Sequence, residues 1–259
     1  MIFIYILAAV ITIAALYLFM MFPSVRRRDM SAFTGKTIAH RGLHGGDVCE
    51  NSMDAFRSAI DGEFPIELDV NVSADGECFV IHDDYLLRLC GADVLLSSLS
   101  GDEVKKYRLT VGGEAIPTLR KVLELVCGRV PLLIELKGRD RRNRAEALWN
   151  VLKDYKGAYA VQSFNPVYLM KLRRKSKDIP IGFLTKRSSR GMSGGLFAFF
   201  SRNLLFNFLF RPDFISYKYD EKLTLSVKLC RMMNIPVFGW TFDINRIPKG
   251  NSFDGYIAE

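Results

Sequence analysis

Cysteines are few and scattered in this 259-residue sequence. There are five, an odd number, and no two of them form a Cys-x-x-Cys pair. Neither a disulfide framework nor a cysteine-based zinc site is therefore indicated, and a reducing compartment fits best. The sequence also lacks internal repeats and low-complexity tracts, and its 49% hydrophobic content excludes a disordered chain.

Charged side chains are absent from residues 1–22, and an apolar run of this length can span a bilayer as a helix. A basic cluster, Arg26 to Arg28, follows the run, whereas a cleaved signal peptide carries its basic residues before it. We therefore predict an uncleaved transmembrane anchor over 1–22 and a basic linker over 23–35. Positive-inside bias then places the rest of the chain on the cytoplasmic side of the cell membrane. A buried core helix is the alternative.

Positive charge exceeds negative charge, with 36 Lys and Arg against 28 Asp and Glu. A net charge of +8 suits a phospholipid surface, a nucleic acid or a phosphorylated substrate, and charge alone does not choose among them. Basic runs at 137–144 and 171–177 are more simply explained as solvated helix faces or lipid-headgroup contacts than as a nucleic-acid site. We therefore expect no nucleic-acid partner.

Beyond residue 35, short β-rich apolar runs alternate with segments of helical periodicity, which is the pattern of an α/β domain. Nine strands are predicted, at 37–40, 66–70, 78–82, 131–137, 160–164, 181–184, 214–217, 237–241 and 256–258. Since a closed (β/α)₈ barrel has eight strands, one of the nine lies outside it or is not a strand. Helices are predicted at 52–60, capped by Asn51, and at 119–126, beginning near Thr118 and ending at Gly128.

Polar residues collect where the apolar runs end. They are His40, Asp69, His82, Glu135, Lys137, Gln162, Ser163 and Trp240. In a (β/α)₈ barrel the catalytic groups lie at the carboxyl ends of the parallel strands, so this pattern predicts a single cleft that all of them surround.

Two acids, Glu67 and Asp69, occur in the short strand "PIELDV" and project from the same face of it. Burying two like charges is costly unless a cation lies between them, although an edge strand with one solvated face is an alternative. If Glu135 converges on them, three carboxylates form a site suited to Mg²⁺ or Ca²⁺, with positions left for water and a substrate phosphate.

Two histidines, His40 and His82, would flank the same cleft and could share acid and base roles near neutral pH. Arg41 and Lys137 add fixed positive charge that could hold a phosphoryl group. Alternatively, Arg41 pairs with Glu50 and orders the loop.

Eight blocks of sequence follow one another in a recognisable order. They are AHRG (39–42), ENSMDAF (50–56), IELDVNVSADGECFVIHDDYLLR (66–88), PTLRKVLELV (117–126), IELK (134–137), QSFNP (162–166), GWTF (239–242) and FDGYIAE (253–259). This series resembles the signature blocks of the glycerophosphodiester phosphodiesterase family and spans nearly everything after the anchor. The resemblance implies a TIM barrel, a divalent cation, and hydrolysis of glycerophosphodiesters to an alcohol and glycerol 3-phosphate.

The resemblance also assigns roles to residues. His40 and His82 look like the acid/base pair, and Glu67, Asp69 and Glu135 look like the metal ligands.

Four further positions match groups around the substrate in that family. Arg41 and Lys137 look like phosphate contacts, Trp240 would line the glycerol pocket, and Glu50 matches an acid placed beside the metal or the arginine. An insertion at about 84–116 is expected to form a small subdomain that caps the cleft, within a catalytic domain spanning 36–259.

Three departures from the family pattern remove no proposed catalytic group. Cys49 stands where a proline commonly precedes "EN", and Ser52 replaces the usual threonine. The block FDGYIAE (253–259) ends where relatives have Thr-Asp and continue, which leaves the closure of the barrel open.

A second apolar stretch, 194–214, is too short and too interrupted to be a confident second membrane span. Over 194–211 it could form an interfacial helix beside the cleft, or a buried barrel helix. The interfacial arrangement would favour a lysophospholipid as substrate. Two rival functions stay open: a lysophospholipase D-like phosphodiesterase on the same barrel, and a non-catalytic, membrane-anchored protein that binds phospholipid headgroups.

Overall fold

The computed structural model describes residues 1–26, 28–138, 143–188, 195–247 and 253–259. Arg27 of the basic cluster, residues 139–142 of one basic run and Gly194 at the start of the second apolar stretch lie outside the described residues.

Within the described residues every predicted strand is present. The strands are β1 (Thr37–Ala39), β2 (Ile66–Val72), β3 (Cys78–Val80), β4 (Leu132–Leu136), β5 (Tyr159–Ser163), β6 (Ile181–Thr185), β7 (Phe214–Lys218), β8 (Val237–Phe242) and β9 (Gly255–Ala258). The α-helices are α1 (Ile2–Met21), α2 (Met53–Asp61), α3 (Leu87–Cys90), α4 (Gly101–Val104), α5 (Leu119–Val126), α6 (Arg144–Leu152), α7 (Pro166–Lys175), α8 (Gly195–Arg202), α9 (Asn207–Phe210) and α10 (Leu225–Met232).

Eight of the strands close into a parallel barrel in the order β1-β9-β8-β7-β6-β5-β4-β2, with β2 returning to pair with β1. The predicted TIM barrel is confirmed, and β9 completes it despite the altered ending of the sequence. The extra strand is β3, which pairs antiparallel with β2 through Val70 and Val80 and stands outside the ring.

Strand β2 is buried along its whole length, which excludes the edge-strand alternative for its acids. Ile66, Leu68 and Val70 pack in the main hydrophobic core. Because side chains alternate along a strand, Glu67 and Asp69 project to the opposite side, the barrel interior.

The amino end of the barrel interior is filled by apolar side chains. They are Ile38, Leu133, Ala160, Phe214, Phe238 and Ile257, with Met30 and Phe33 packed on them. Gly182 makes room for this layer, because a Cβ there would lie 2.0 Å from the ring of Phe214. The interior is therefore open to chemistry only at the carboxyl ends of the strands.

Two helix boundaries follow from capping side chains. Ser52, rather than the predicted Asn51, caps α2 by accepting a hydrogen bond from the Ala55 N–H. Thr118 caps α5 as expected, and that helix ends at Cys127 in a left-handed conformation, one residue before Gly128.

Residues 84–116 carry α3, a 3₁₀ turn at Leu96–Ser98 and α4. Their apolar side chains form a separate small core around Phe79, Leu86 and Leu96. The segment thus has its own packing on the outside of β3.

Helix α1, with 20 residues, is the one helix among the described residues that is long and apolar enough to cross a membrane. The segment that follows contacts the barrel. Arg28 donates to the buried carboxylate of Asp213 at 2.5 Å, and Arg173 donates to the same group at 2.6 Å. Met30 and Phe33 cover the amino end of the barrel.

The second apolar stretch forms two short helices, α8 and α9, instead of one interfacial helix. Leu204 and Phe210 are buried in the main core, whereas Leu196 and Phe199 are exposed. The stretch is therefore part of the barrel wall with an apolar outer surface.

Both the backbone conformation at position 42 and the atoms packed around it require a glycine. It has a φ of +81°, and a Cβ there would lie 2.8 Å from the carbonyl carbon of Ala55. Gly35 has a similar φ of +73° with nothing within 4 Å, so it serves as a control. We expect Gly35→Ala to cost about 1 kcal/mol for the left-handed conformation alone. Gly42→Ala should cost roughly 1–3 kcal/mol more from overpacking.

The measurement is the thermal midpoint of the full chain in detergent, where each kcal/mol shifts the midpoint by about 2–4 °C for a domain of this size. Equal midpoints for the two variants would contradict the role of the Ala55 contact.

Candidate active site

Side chains at the carboxyl ends of the strands surround a cleft of about 990 Å³. Seven of the predicted site residues line it: His40, Arg41, Glu67, His82, Glu135, Lys137 and Trp240. The other two, Asp69 and Glu50, lie next to the cleft and pair with Arg41. The structure thus brings the predicted set into one place.

Three buried carboxylates form the floor of this cleft. Oxygens of Glu67, Asp69 and Glu135 lie within 4.8 Å of one another, and each residue is at most 7% exposed. The pairing of Asp69 with Glu135 across β2 and β4 sets two of them at the same height in the barrel.

Two cations partly neutralise the three acids. Lys137 Nζ lies 3.1 Å from Asp69 and 2.8 Å from Glu135, while Arg41 Nε lies 3.2 Å from Asp69. Although burial opposes ionisation, Lys137 and Arg41 hold the pKa of Asp69 well below its ordinary value. Burial, together with Asp69 and Glu135, raises the pKa of Glu67 well above its ordinary value.

The balance of charge among these side chains shows whether a divalent cation would fit between the three carboxylates. Three carboxylates face two side-chain cations, and the repulsion is concentrated on Glu67, which lacks a close cation of its own among the described residues. Hard oxygen donors in this number are the ligands that Mg²⁺ and Ca²⁺ prefer. The residues present therefore fit such an ion.

Each histidine of the cleft has a carboxylate at Nδ1. His82 Nδ1 lies 2.6 Å from Asp83, and His40 Nδ1 lies 2.5 Å from Glu259. The hydrogen bond with His40, together with His44 Nε2 at 3.7 Å, lowers the pKa of Glu259 below its ordinary value. With Nδ1–H donating to the carboxylate, Nε2 is the atom left to exchange a proton with substrate.

The turn after β1 places Arg41. This residue has a φ of +56°, a left-handed conformation that costs free energy for a side chain of its size. Its backbone N–H donates to Glu67 at 3.2 Å, and its carbonyl accepts from the Asn51 N–H at 2.9 Å. The strained turn is thus held by Glu67, one of the acids of the cleft, and by Asn51.

Glu50 lies between two arginines. It accepts from Arg41 at 2.7 Å and binds Arg88 through both oxygens, at 2.7 and 2.8 Å. Of the alternatives considered from the sequence, the structure places this acid beside Arg41, outside the group of three carboxylates.

Four functional candidates did not emerge from the sequence: Asn51, Asp83, Arg88 and Glu259. The amide of Asn51 donates to the Asp69 carboxylate at 3.0 Å and accepts from the Asp69 N–H at 3.3 Å, so it orients that acid. Asp83 adjoins His82 in the "IHDD" stretch, which was a usable signal. Glu259 had none, because nothing in its local sequence indicates contact with residue 40.

Trp240 forms one wall of the cleft. Its ring lies 5.7 Å from that of Phe164 in an edge-to-face arrangement. Its indole N–H is buried and has no acceptor among the described residues. A buried donor without a partner is costly, so a substrate oxygen at this position would satisfy it.

Comparison with known proteins identifies the family of this chain. The model of the glycerophosphoryl diester phosphodiesterase family matches residues 40–254. The chain belongs to this family. The family predicted from the sequence blocks is therefore confirmed.

Individual relatives carry related names. Glycerophosphodiester phosphodiesterase 1 of Rattus norvegicus is 26% identical over 298 residues, covering 97% of this chain and 86% of that protein. Lysophospholipase D GDPD1 of Homo sapiens is 28% identical over 187 residues, covering 66% of this chain and 59% of that protein. The structure of an Oleispira antarctica phosphodiesterase in complex with sn-glycerol-3-phosphate has a TM-score of 0.69 at 20% identity, over 87% of this chain and 93% of that one.

The carboxylates at Nδ1 should matter for turnover. We expect Asp83→Asn and Glu259→Gln each to lower kcat on the order of 10- to 100-fold with little change in KM, because each leaves its imidazole without the anion that orients it. Asp84→Asn removes the same charge from the neighbouring position and should keep near wild-type kcat. Steady-state kinetics on a soluble glycerophosphodiester provides the measurement, and equal losses for Asp83→Asn and Asp84→Asn would contradict the orienting role.

Metal binding should depend on pH through Glu67. Above the ordinary value of 4.5 but below its raised pKa, this carboxyl is protonated in the metal-free protein. An ion must displace that proton, so affinity should rise about tenfold per pH unit through this window and level off above the raised pKa.

Calorimetric titration with Mg²⁺ or Ca²⁺ in buffers of different ionisation enthalpy measures the proton released. In Glu67→Gln both the proton release and the steep pH dependence should disappear. Binding by wild-type protein without proton release in this window would contradict the assignment.

Proposed function

We propose that this chain hydrolyses glycerophosphodiesters to an alcohol and sn-glycerol 3-phosphate, using His40 and His82 as acid and base. The observation that carries the proposal is the pairing of two carboxylate-oriented histidines with three buried carboxylates in one cleft. The product named with the Oleispira antarctica structure supports the same reaction.

The proposed chemistry is a displacement at phosphorus. One imidazole accepts, at Nε2, the proton of the attacking hydroxyl as its oxygen bonds to phosphorus. The P–O bond to the departing alcohol breaks, and the other imidazolium gives its Nε2 proton to that oxygen. The nucleophile is either water or the neighbouring glycerol hydroxyl, which would form a cyclic phosphate that water then opens.

Cations hold the phosphoryl group during this step. Arg41 offers its guanidinium fork and Lys137 a point charge, and both are fixed by Asp69. A divalent ion held by Glu67, Asp69 and Glu135 would act as a Lewis acid on a non-bridging oxygen. Trp240 would line the glycerol pocket and donate its indole N–H to a hydroxyl.

A second candidate substrate class is the lysophospholipids. The human relative named lysophospholipase D and the exposed apolar residues of α8 favour it. The products distinguish the two substrate classes, since cleavage on the headgroup side yields lysophosphatidic acid from a lysophospholipid and glycerol 3-phosphate from a glycerophosphodiester.

The same proposal includes the organisation of the chain. Residues 1–22 anchor it as a single-pass protein of the cell membrane, residues 23–35 lead from the anchor, and residues 36–259 form the catalytic domain, with 84–116 capping the cleft. The domain lies in the cytoplasm. Protease added to sealed right-side-out cells should leave the catalytic domain intact. Cleavage of the domain in this experiment would place it outside the cell.

Product analysis tests the activity. Full-length protein should release glycerol 3-phosphate from glycerophosphocholine, and a chelator should remove this activity, with recovery on adding Mg²⁺ or Ca²⁺. His40→Ala and His82→Ala should each lower turnover on the order of 10²-fold or more.

Two results would count against the proposal. Undiminished turnover in EDTA would exclude the metal site, and a cellular role that survives His40→Ala would favour a headgroup-binding protein without catalysis.

A further inference from the structure

The last turn of α1 is docked on the barrel. Tyr17 Oη lies 2.7 Å from Ser226 Oγ, in the first turn of α10. The Phe19 ring lies 6.4 Å from the ring of Phe208 on α9. A helix that only tethered the domain would need no such contacts.

These contacts fix the direction of the helix. Ser226 follows β7 and so lies at the carboxyl end of the barrel, beside the cleft. Seven residues after Tyr17, the Ser24 N–H donates to the Pro212 carbonyl at 2.9 Å, just before β7 begins. The chain therefore runs from the mouth of the barrel toward its amino end. The free part of α1 projects from the mouth side.

The part of α1 that does not contact the barrel is shorter than the hydrocarbon core of a bilayer is thick. Residues 2–16 of α1 are exposed, and they span about 22 Å at 1.5 Å per residue. The hydrocarbon core of a bilayer is about 30 Å thick. All 20 residues of α1 can lie in hydrocarbon only if the mouth of the barrel sinks about 8 Å into the membrane surface.

The mouth has the side chains that such a position requires. Leu196, Leu225 and Val167 lie in the first turns of α8, α10 and α7, and they are 73%, 63% and 45% exposed. Across the cleft, Tyr85 and Leu87 are 55% and 56% exposed. We call these five residues the apolar rim.

Exposed apolar residues are concentrated at this end. Beyond residue 26, ten large hydrophobic side chains are exposed in the described part of the chain. Five of them line the cleft or come within seven residues after the carboxyl end of a strand: Tyr85, Leu87, Val167, Tyr219 and Leu225. A sixth, Leu196, adjoins Phe197, which lines the cleft. A patch of this kind around a cleft marks an interaction surface.

We propose that the apolar rim lies in the lipid interface of the bilayer that α1 crosses, so that the cleft opens onto the membrane. The catalytic groups then meet phosphodiester headgroups of lysolipids within the bilayer surface. The headgroup chemistry and the crossing of the membrane by α1 both rest on the proposals made above. The orientation rests on the docked helix and the rim.

Depth measurements on the full chain in liposomes test the orientation without any need for activity. The probes are two single variants, Leu225→Trp and Met232→Trp, whose positions are exposed and lie at opposite ends of α10. The fluorescence that each new tryptophan adds is measured above the wild-type background. Lipids brominated near the headgroup should quench this added fluorescence in Leu225→Trp. They should leave the added fluorescence of Met232→Trp unchanged. Quenching that is absent at both positions, or equal at both, would overturn the proposal.

Activity then tests the consequence for substrate access. Leu196→Glu combined with Leu225→Glu should lower hydrolysis of lysophosphatidylcholine in the same bilayer about tenfold, and should leave hydrolysis of soluble glycerophosphocholine unchanged. Met232→Glu should affect neither. Equal effects on both substrates would overturn the proposal. If wild-type protein hydrolyses neither substrate, the proposed function fails while the quenching result still decides the orientation.

Discussion

The structure depends on how a barrel interior accommodates three carboxylates. Glu67, Asp69 and Glu135 are all buried, and two cations, Lys137 and Arg41, are held against them. Isolated charges at this depth would be costly, so the two cations and the two hydrogen bonds between Asn51 and Asp69 stabilise the fold. The remaining repulsion, expressed in the raised pKa of Glu67, is what a divalent ion would relieve.

A second layer of acids contacts the two histidines of the cleft. Asp83 and Glu259 bind the Nδ1 atoms of the two histidines, and Arg88 joins Asp83 to Glu50. The cleft is thus bordered by basic and acidic side chains that contact one another. This arrangement limits the rotation of the imidazoles without help from the backbone.

Much of the barrel could be predicted because its signals are local. Alternation of apolar and polar residues locates β2, and the cap at Thr118 fixes the start of α5. The convergence of the acids also followed, since the carboxyl ends of parallel strands meet. The partner of His40 could not be predicted, because it comes from residue 259 and depends on which strands close the ring. The cap at Ser52 was misassigned to Asn51 for a related reason: the amide is engaged by Asp69 on another strand.

The residues between the anchor and β1 have a consequence for any shortened form of the chain. Arg28 supplies one of two guanidinium partners of the buried Asp213, and Phe33 covers Phe238 inside the barrel. A polypeptide beginning at residue 36 would leave that carboxylate with half of its counter-charge and open the bottom of the barrel to water. Soluble versions should begin no later than Ser24, whose N–H is already bonded to Pro212.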